Sequence, residues 1–188
     1  LDDVLRPLKR QDIEGMKRAI GSREIMLSLS PGDSRTVGKP DSDLVCFLQE
    51  NAVCWRVSDD LNDSWEQLKH QFVLANCWSE HSHSGHWVDL DMLPLGRLGP
   101  SPPVDWDRPS RLRREEQTVM LTLWAIVRSP LFFGGHLPTL GTHDQMTLDM
   151  LCNNGFLRVH SNSTAAKQIL RTPFDVIVWQ AALTDQSS

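Results

Sequence analysis

The sequence predicts an α/β fold, a partial (β/α)8 barrel corresponding to the second half of one. Three observations carry this expectation. Apolar runs of strand length alternate with amphipathic runs of helix length along most of the 188 residues. Such alternation means parallel strands joined by helical crossovers. No GxGxxG or GxxxxGK follows a strand-like run, which weighs against a nucleotide-binding open sheet. Acidic residues fall at the ends of successive strands, Asp60 after one and Asp89 and Asp91 in the next, and a barrel mouth collects residues in that way. A complete barrel takes about 250 residues, so the four strand signals here amount to half of one.

The elements follow in order. Residues 13–21, IEGMKRAIG, have helical spacing and a glycine stop. Residues 24–32, EIMLSLSPG, form an apolar run closed by Ser-Pro-Gly, hence a buried strand and a turn. Residues 41–52 read as a helix with an Asp or Ser cap, and 53–58, VCWRVS, as a strand. An amphipathic helix is expected over 63–78, a strand over 86–93, and a Pro/Gly/Arg-rich loop over 94–114. A long apolar helix over 115–129, a short strand over 130–135 (PLFFGG) and a last helix over 143–153 complete the alternation.

Composition narrows the function. Hydrophobic content of 40% and charged content of 23% are those of an ordinary globular protein. A net charge of -5 supplies no basic footprint for nucleic acid. No apolar run approaches the roughly 20 residues that span a bilayer. The chain opens on LDDVLRPLKR, without initiator Met or signal pattern, and is expected to be a fragment or a chain processed at its start. The four cysteines, Cys46, Cys54, Cys77 and Cys152, form no CxxC and read as thiols rather than a zinc site or disulfide scaffold. Seven Trp against no Tyr hints at aromatic faces for sugar rings, though most Trp residues belong to cores.

The stretch CWRVSDDLNDSW, residues 54–65, concentrates the chemistry. Side chains on a strand alternate faces. Counting by twos from Arg56 puts Ser58 and Asp60 on one face and Asp59 on the other, so Arg56 and Asp60 share the mouth. A neighbouring Arg favours an ionised carboxylate and positions hydroxyls. Asp89 and Asp91 share a face by the same rule, whereas Asp63 is expected to be a helix cap or a surface ion pair. Glycosidases need two carboxyl groups flanking the scissile bond; Asp2 and Asp3 in LDDVLRP are the other candidates. The HSHSGH loop (His81, His83, His86) offers histidines for a metal, but no HExxH or paired acid accompanies it, so a solvated loop is expected.

Taken together, WRVSDDLNDSW, GHWVDLDMLPLG and EEQTVMLTLWAIVRSPLFFGG resemble the α-galactosidase family of glycoside hydrolases, family 27. That family's pattern has W-R-x-x-x-D ahead of D-x-W, then G-x-W-x-D-x-D-M-L, then a helix reading L-W-A-I-x-x-S-P-L. The resemblance runs from Leu1 to about residue 180. It implies a (β/α)8 barrel followed by a small antiparallel β domain. Residues 1–158 would then be the C-terminal half of the catalytic barrel. Residues 159–188 would be a linker and the first strand of the β domain, FDVIVWQ at 174–180.

The resemblance also implies roles. The family's nucleophile is the Asp of K-x-D at the end of strand four; the Lys falls one position before Leu1, and Asp2 takes the nucleophile's place. The acid/base lies four residues after the Arg, which is Asp60. Arg56 matches the sugar-binding Arg, and Asp91 and Met92 match the Asp-Met pair lining the same subsite. Where galactose-cleaving members often carry Cys-Glu-Trp after strand five, this chain has SLSPG, with Ser30 near the Glu position. The implied activity is retaining hydrolysis of terminal α-D-galactosides, with a carbohydrate substrate and no metal or organic cofactor. The alternative is a truncated, catalytically inactive relative that binds sugar weakly. Members of the family are often secreted, periplasmic or lysosomal.

Overall fold

The computed structural model describes residues 7–30, 40–99, 107–174 and 176–184. Leu1, Asp2 and Asp3 lie outside the described residues, as does the turn after Ser30. Helix α1 spans Pro7–Ile20 and starts earlier than its apolar spacing indicated; Pro suits a first helical turn because its missing N–H has no partner there anyway. Gly21, at φ 56, ends it. Strand β1 (Ser28–Leu29), helix α2 (Ser42–Asn51, with Asp41 as N-cap), strand β2 (Cys54–Arg56), helix α3 (Trp65–Trp78) and strand β3 (Trp87–Asp89) follow.

The three strands form one parallel sheet in the order β1-β2-β3, with Leu29 level with Trp55 and Arg56 level with Asp89. Parallel pairing of successive strands is what the alternating elements predicted. The fourth expected strand is reduced to one parallel bridge between Leu93 and Phe133. Leu93 donates its N–H to the Phe132 carbonyl at 2.7 Å, and Gly134 returns a bond to the Leu93 carbonyl at 2.9 Å. Gly135 is needed there, since a Cβ would run into the Leu95 carbonyl and the Phe133 ring.

Several expectations are corrected. The strand read over 24–32 is only Ser28–Leu29; Ile25 and Met26 are 56% and 79% exposed. Among the described residues β1 pairs on one side only, with β2, so nothing extends the ladder to its earlier residues. The loop over 94–114 contains a small antiparallel pair, β4 (Arg97–Leu98) with β5 (Arg108–Pro109). Helix α4 (Arg114–Val127) is back-capped by Glu116, whose carboxylate accepts from the Arg113 N–H at 2.8 Å. The expected last helix is Gln145–Leu151, α5, capped by Asp144. A further helix, α6 (Asn154–Asn162), begins three residues later with Asn153 as its cap.

Where a linker was expected from residue 159, α6 runs directly into strand β6 (Ser163–Arg171). This strand pairs antiparallel with β7 (Ile177–Leu183). The expected first strand at 174–180 is therefore the second strand of a hairpin, and Phe174, 91% exposed, sits in its turn. STAAKQILR contains helix formers and lacks strand-like alternation, so only pairing with β7 makes it a strand.

The core lies between the parallel sheet and helices α2, α3 and α4, and includes Leu48, Trp55, Leu68, Trp78, Leu90, Met120 and Trp124. Trp55, Trp78 and Trp124 are at most 2% exposed. Trp55 is thus a core residue rather than a wall for a sugar ring. No helix of the described residues is long and apolar enough to cross a membrane.

Candidate active site

Each parallel strand delivers a candidate at its C-terminal end. Arg56 closes β2, and its neighbour in register, Asp89, closes β3. Ser30 follows Leu29 directly, one step beyond the last β1–β2 pair, and is exposed. After β2 the Val57 N–H still bonds the Asp89 carbonyl at 3.1 Å, and the segment then leaves the sheet through a bend at Ser58 and Asp59. Asp60 still reaches Arg56, with Nη2 2.9 Å from its Oδ1. Strict face alternation does not account for the meeting, because the strand ends at Arg56; a bend and a four-residue spacing bring the pair together.

Asp91 is built differently. It has φ 82, a left-handed conformation that Asp tolerates better than most residues. The turn ends β3 and brings the Asp91 N–H to the Asp89 carboxylate at 2.8 Å. Asp91 Oδ1 accepts from its neighbour Met92's N–H at 2.7 Å and lies 3.3 Å from Arg56 Nη1, while Oδ2 accepts from the Leu61 N–H at 2.6 Å. The Asp91 carbonyl takes the Trp124 indole N–H at 3.1 Å, and Ser129 Oγ accepts from the Leu90 N–H at 2.9 Å. Helix α4 and Ser129, two residues beyond its end, therefore lock the backbone around Asp91. Trp124 and Ser129 lie in the LWAIVRSPL pattern, whose side-chain roles are not visible in its spacing.

The result is one guanidinium between two carboxylates of opposite character. Asp91 is buried at 5% exposure, and its rigid acceptors fix Arg56. Asp60, at 87% side-chain exposure, faces solvent. Asp89 is buried and has its pKa pushed up, first by burial and then by repulsion from Asp91, against the N–H bond from Asp91 and the attraction of Arg56. Beneath it, burial and the Asp89 charge push the Cys54 thiol up to about 11, although a hydrogen bond with Ser28 pulls the other way. Met92 is 53% exposed at the same rim.

Asp63 is neither a cap nor a surface pair. It is 7% exposed. Its two carboxylate oxygens hold Arg108 Nη1 and Nη2 at 2.5 and 2.9 Å, and it also accepts from the Arg111 N–H at 2.6 Å. Ser64 occupies the N-cap of α3. Burial raises the pKa of Asp63, but the bonds from Arg108 and Arg111 outweigh it and hold the carboxyl below its usual range. Asp63 thereby ties the loop carrying Asp60 to β5.

The HSHSGH segment is a tight turn closed by reciprocal backbone bonds between His83 and His86 at 2.9 and 2.8 Å. His81 and His86 are half-buried, beside Trp78 and Trp55 respectively, rather than freely solvated. Among the described residues no group of three His, Cys, Asp or Glu side chains is placed to hold a metal ion.

Comparison with known proteins supplies the family. The model of the family described as alpha galactosidase A matches residues 15–156. A β-L-arabinopyranosidase of glycoside hydrolase family 27 from Geobacillus stearothermophilus superposes with TM-score 0.83 at 38% identity, over 96% of this chain and 40% of that one. Alpha-galactosidase 2 of Arabidopsis thaliana is 24% identical over 131 residues, 69% of this chain and 29% of its own length. Alpha-N-acetylgalactosaminidase of Mus musculus is 25% identical over 156 residues, 77% of this chain and 33% of its own length. The chain thus spans well under half the length of these relatives. With the three-stranded parallel sheet and the Arg56 cluster at its carboxyl edge, the match is one of architecture as well as of motif: the chain belongs to the alpha galactosidase A family, a melibiase-like branch of glycoside hydrolase family 27.

Proposed function

We propose that this chain provides the acid/base carboxylate and part of the sugar pocket of a retaining exo-glycosidase that acts on terminal α-D-galactosides. The observation that carries the reading is the shared guanidinium, with Arg56 held by buried Asp91 on one side and reaching exposed Asp60 on the other. A sugar seated on Arg56 and Asp91 would have its glycosidic oxygen within reach of Asp60, and Met92 and Ser30 would border the ring. Asp2, outside the described residues, is the nucleophile in this reading. It attacks the anomeric carbon while Asp60 protonates the departing oxygen, so the C–O bond breaks with its electron pair on the leaving group. Asp60 then takes a proton from water, which opens the glycosyl ester. Residues 1–158 are proposed as the barrel half, and 159–188 as the entry to a β domain.

A second glycone is favoured by a specific observation. The relative matched at 38% identity is a β-L-arabinopyranosidase. β-L-Arabinopyranose has the ring stereochemistry of α-D-galactopyranose without the exocyclic CH2OH, so the same carboxylates would serve both. Ser30, short and exposed after β1, lies in the segment that departs from galactose-cleaving members.

The test is turnover of p-nitrophenyl α-D-galactoside and p-nitrophenyl β-L-arabinopyranoside by the full-length protein carrying this chain. Asp2→Asn should abolish turnover of either. Asp60→Asn should lower kcat/KM by about 10²–10⁴ for glycosides with poor leaving groups and much less for activated aryl glycosides. Neither glycoside being cleaved, with sugar binding retained, would favour the inactive relative. Full activity of Asp2→Asn would overturn the nucleophile.

A further inference from the structure

Helix α4 ends in a cap that its own sequence does not favour. Arg128 has φ 57, the left-handed conformation that glycine usually supplies just past a helix end. The Ser129 N–H then returns to the Trp124 carbonyl at 3.0 Å, which closes the cap. Two contacts hold Arg128 in place. Its guanidinium carbon lies 4.4 Å from the centre of the Trp87 ring, and Nη1 donates to the Ser163 carbonyl at 3.4 Å. His160, in the last turn of α6, adds a third tie, from Nε2 to the Ser129 carbonyl at 2.9 Å. A carbonyl only accepts, which assigns the ring's proton to Nε2. Burial and the Arg128 charge push the pKa of His160 down, against the bond to Ser129, so the ring is a neutral donor at pH 7.

Ser129 is where this grip meets the site. It is fully buried, it precedes Pro130, which restricts its backbone, and both its N–H and its carbonyl are bonded. Its Oγ is thereby aimed, and accepts the Leu90 N–H at 2.9 Å. The next residue, Asp91, is itself left-handed at φ 82 and fixes Arg56. A continuous hydrogen-bonded route therefore runs from α6 through Ser129 to the Leu90–Asp91 turn and on to the guanidinium. We propose that His160 is a positioning residue for the sugar: it docks the junction of α6 and β6 onto the end of α4, so that Ser129 holds the Asp91 turn in the shape that presents Arg56. The segment leading out of the barrel half would then set the geometry of the pocket rather than merely follow it. The inference rests on Arg56 and Asp91 seating the sugar ring.

The test uses the full-length protein carrying this chain and three variants. His160→Leu and His160→Met remove the donor, the second filling the space more adaptably should the first fail to fold. His160→Gln keeps an N–H donor near the place of Nε2. Thermal melts check that each is folded. With the p-nitrophenyl glycoside that the parent cleaves, the Leu and Met variants should raise KM about fivefold or more, within the range seen for residues coupled to a site through a chain of contacts. Their kcat should stay within about twofold, the pattern of lost uniform binding, and His160→Gln should restore KM. Hydrogen exchange of the peptide covering 89–93 should quicken in the Leu and Met variants and not in His160→Gln. Unchanged KM in folded Leu and Met variants overturns the proposal, whatever the exchange shows, and so does a Gln variant as impaired as they are. A parent that cleaves neither glycoside, with exchange at 89–93 still dependent on the His160 donor, leaves the coupling standing and sinks the glycosidase reading; without that dependence, both fall.

Discussion

Arg56 and Asp91, 35 residues apart in sequence, meet at 3.3 Å through Nη1 and Oδ1 at the end of two adjacent parallel strands. Asp91 is the fixed member, because the Met92 and Leu61 N–H groups also hold its carboxylate. Arg56 is left to present its other nitrogen, Nη2, to Asp60.

This geometry makes Arg56→Lys a severe change. A lysine ammonium is a point charge and cannot serve two carboxylates in a planar fork. In the full-length protein kcat/KM for the cleaved aryl glycoside should drop by about 10²-fold or more, from lost positioning. Loss of less than threefold would show that the fork is not used on the sugar.

The Asp63–Arg108 pair should matter for stability more than for chemistry. Asp63→Asn leaves Arg108 without its carboxylate, and breaking a buried pair typically costs about 3–5 kcal/mol; Arg108 is 20% exposed in its side chain, so the lower end applies. Because the native pKa of Asp63 is lowered, its contribution is complete above the unfolded value of about 3.9. It is lost as pH falls through the lower native value. Urea melts at pH 7 and pH 3 should show the wild-type advantage over Asp63→Asn shrinking at acid pH. An equal gap at both would contradict the pairing.

Asp89 should behave in the opposite sense. Its native pKa is raised by burial and by Asp91, so its charge costs stability at neutral pH. That cost disappears as pH falls through the raised native value and on below the unfolded one. Asp89→Asn keeps an acceptor for the Asp91 N–H and removes the charge. Its thermal midpoint at pH 7–8 should equal or exceed that of the parent, by an amount that vanishes near pH 3. A marked fall at pH 7 would mean that the negative charge itself holds Arg56.

The thiols should separate by reactivity. Cys54 is buried with its pKa pushed up to about 11, whereas Cys152 is exposed. The thiolate is the reacting species. Mass-spectrometric mapping after iodoacetamide at pH 8 should find Cys152 labelled and Cys54 unmodified until denaturant is added. Fast labelling of native Cys54 would contradict the packing at the β1–β2 contact.

What the sequence determined by itself was local or periodic. Alternating apolar runs specified the parallel sheet, and the motif spacings marked Arg56, Asp60, Asp91 and Met92 along with the family. These signals survive in one dimension because strand period, helix period and motif spacing are properties of neighbouring residues. Only the tertiary structure decided the rest. Asp63 carries an ordinary helix-opening signature, yet its partners are Arg108 and Arg111, 45 and 48 residues on. Residues 163–171 favour a helix by composition and become a strand through their bonds to β7. Asp91 leaves the strand register because its left-handed turn is held by Asp89, Leu61 and Trp124. In each case a long-range hydrogen bond outweighs a local preference worth about 1 kcal/mol or less, and which groups meet depends on how distant elements cross.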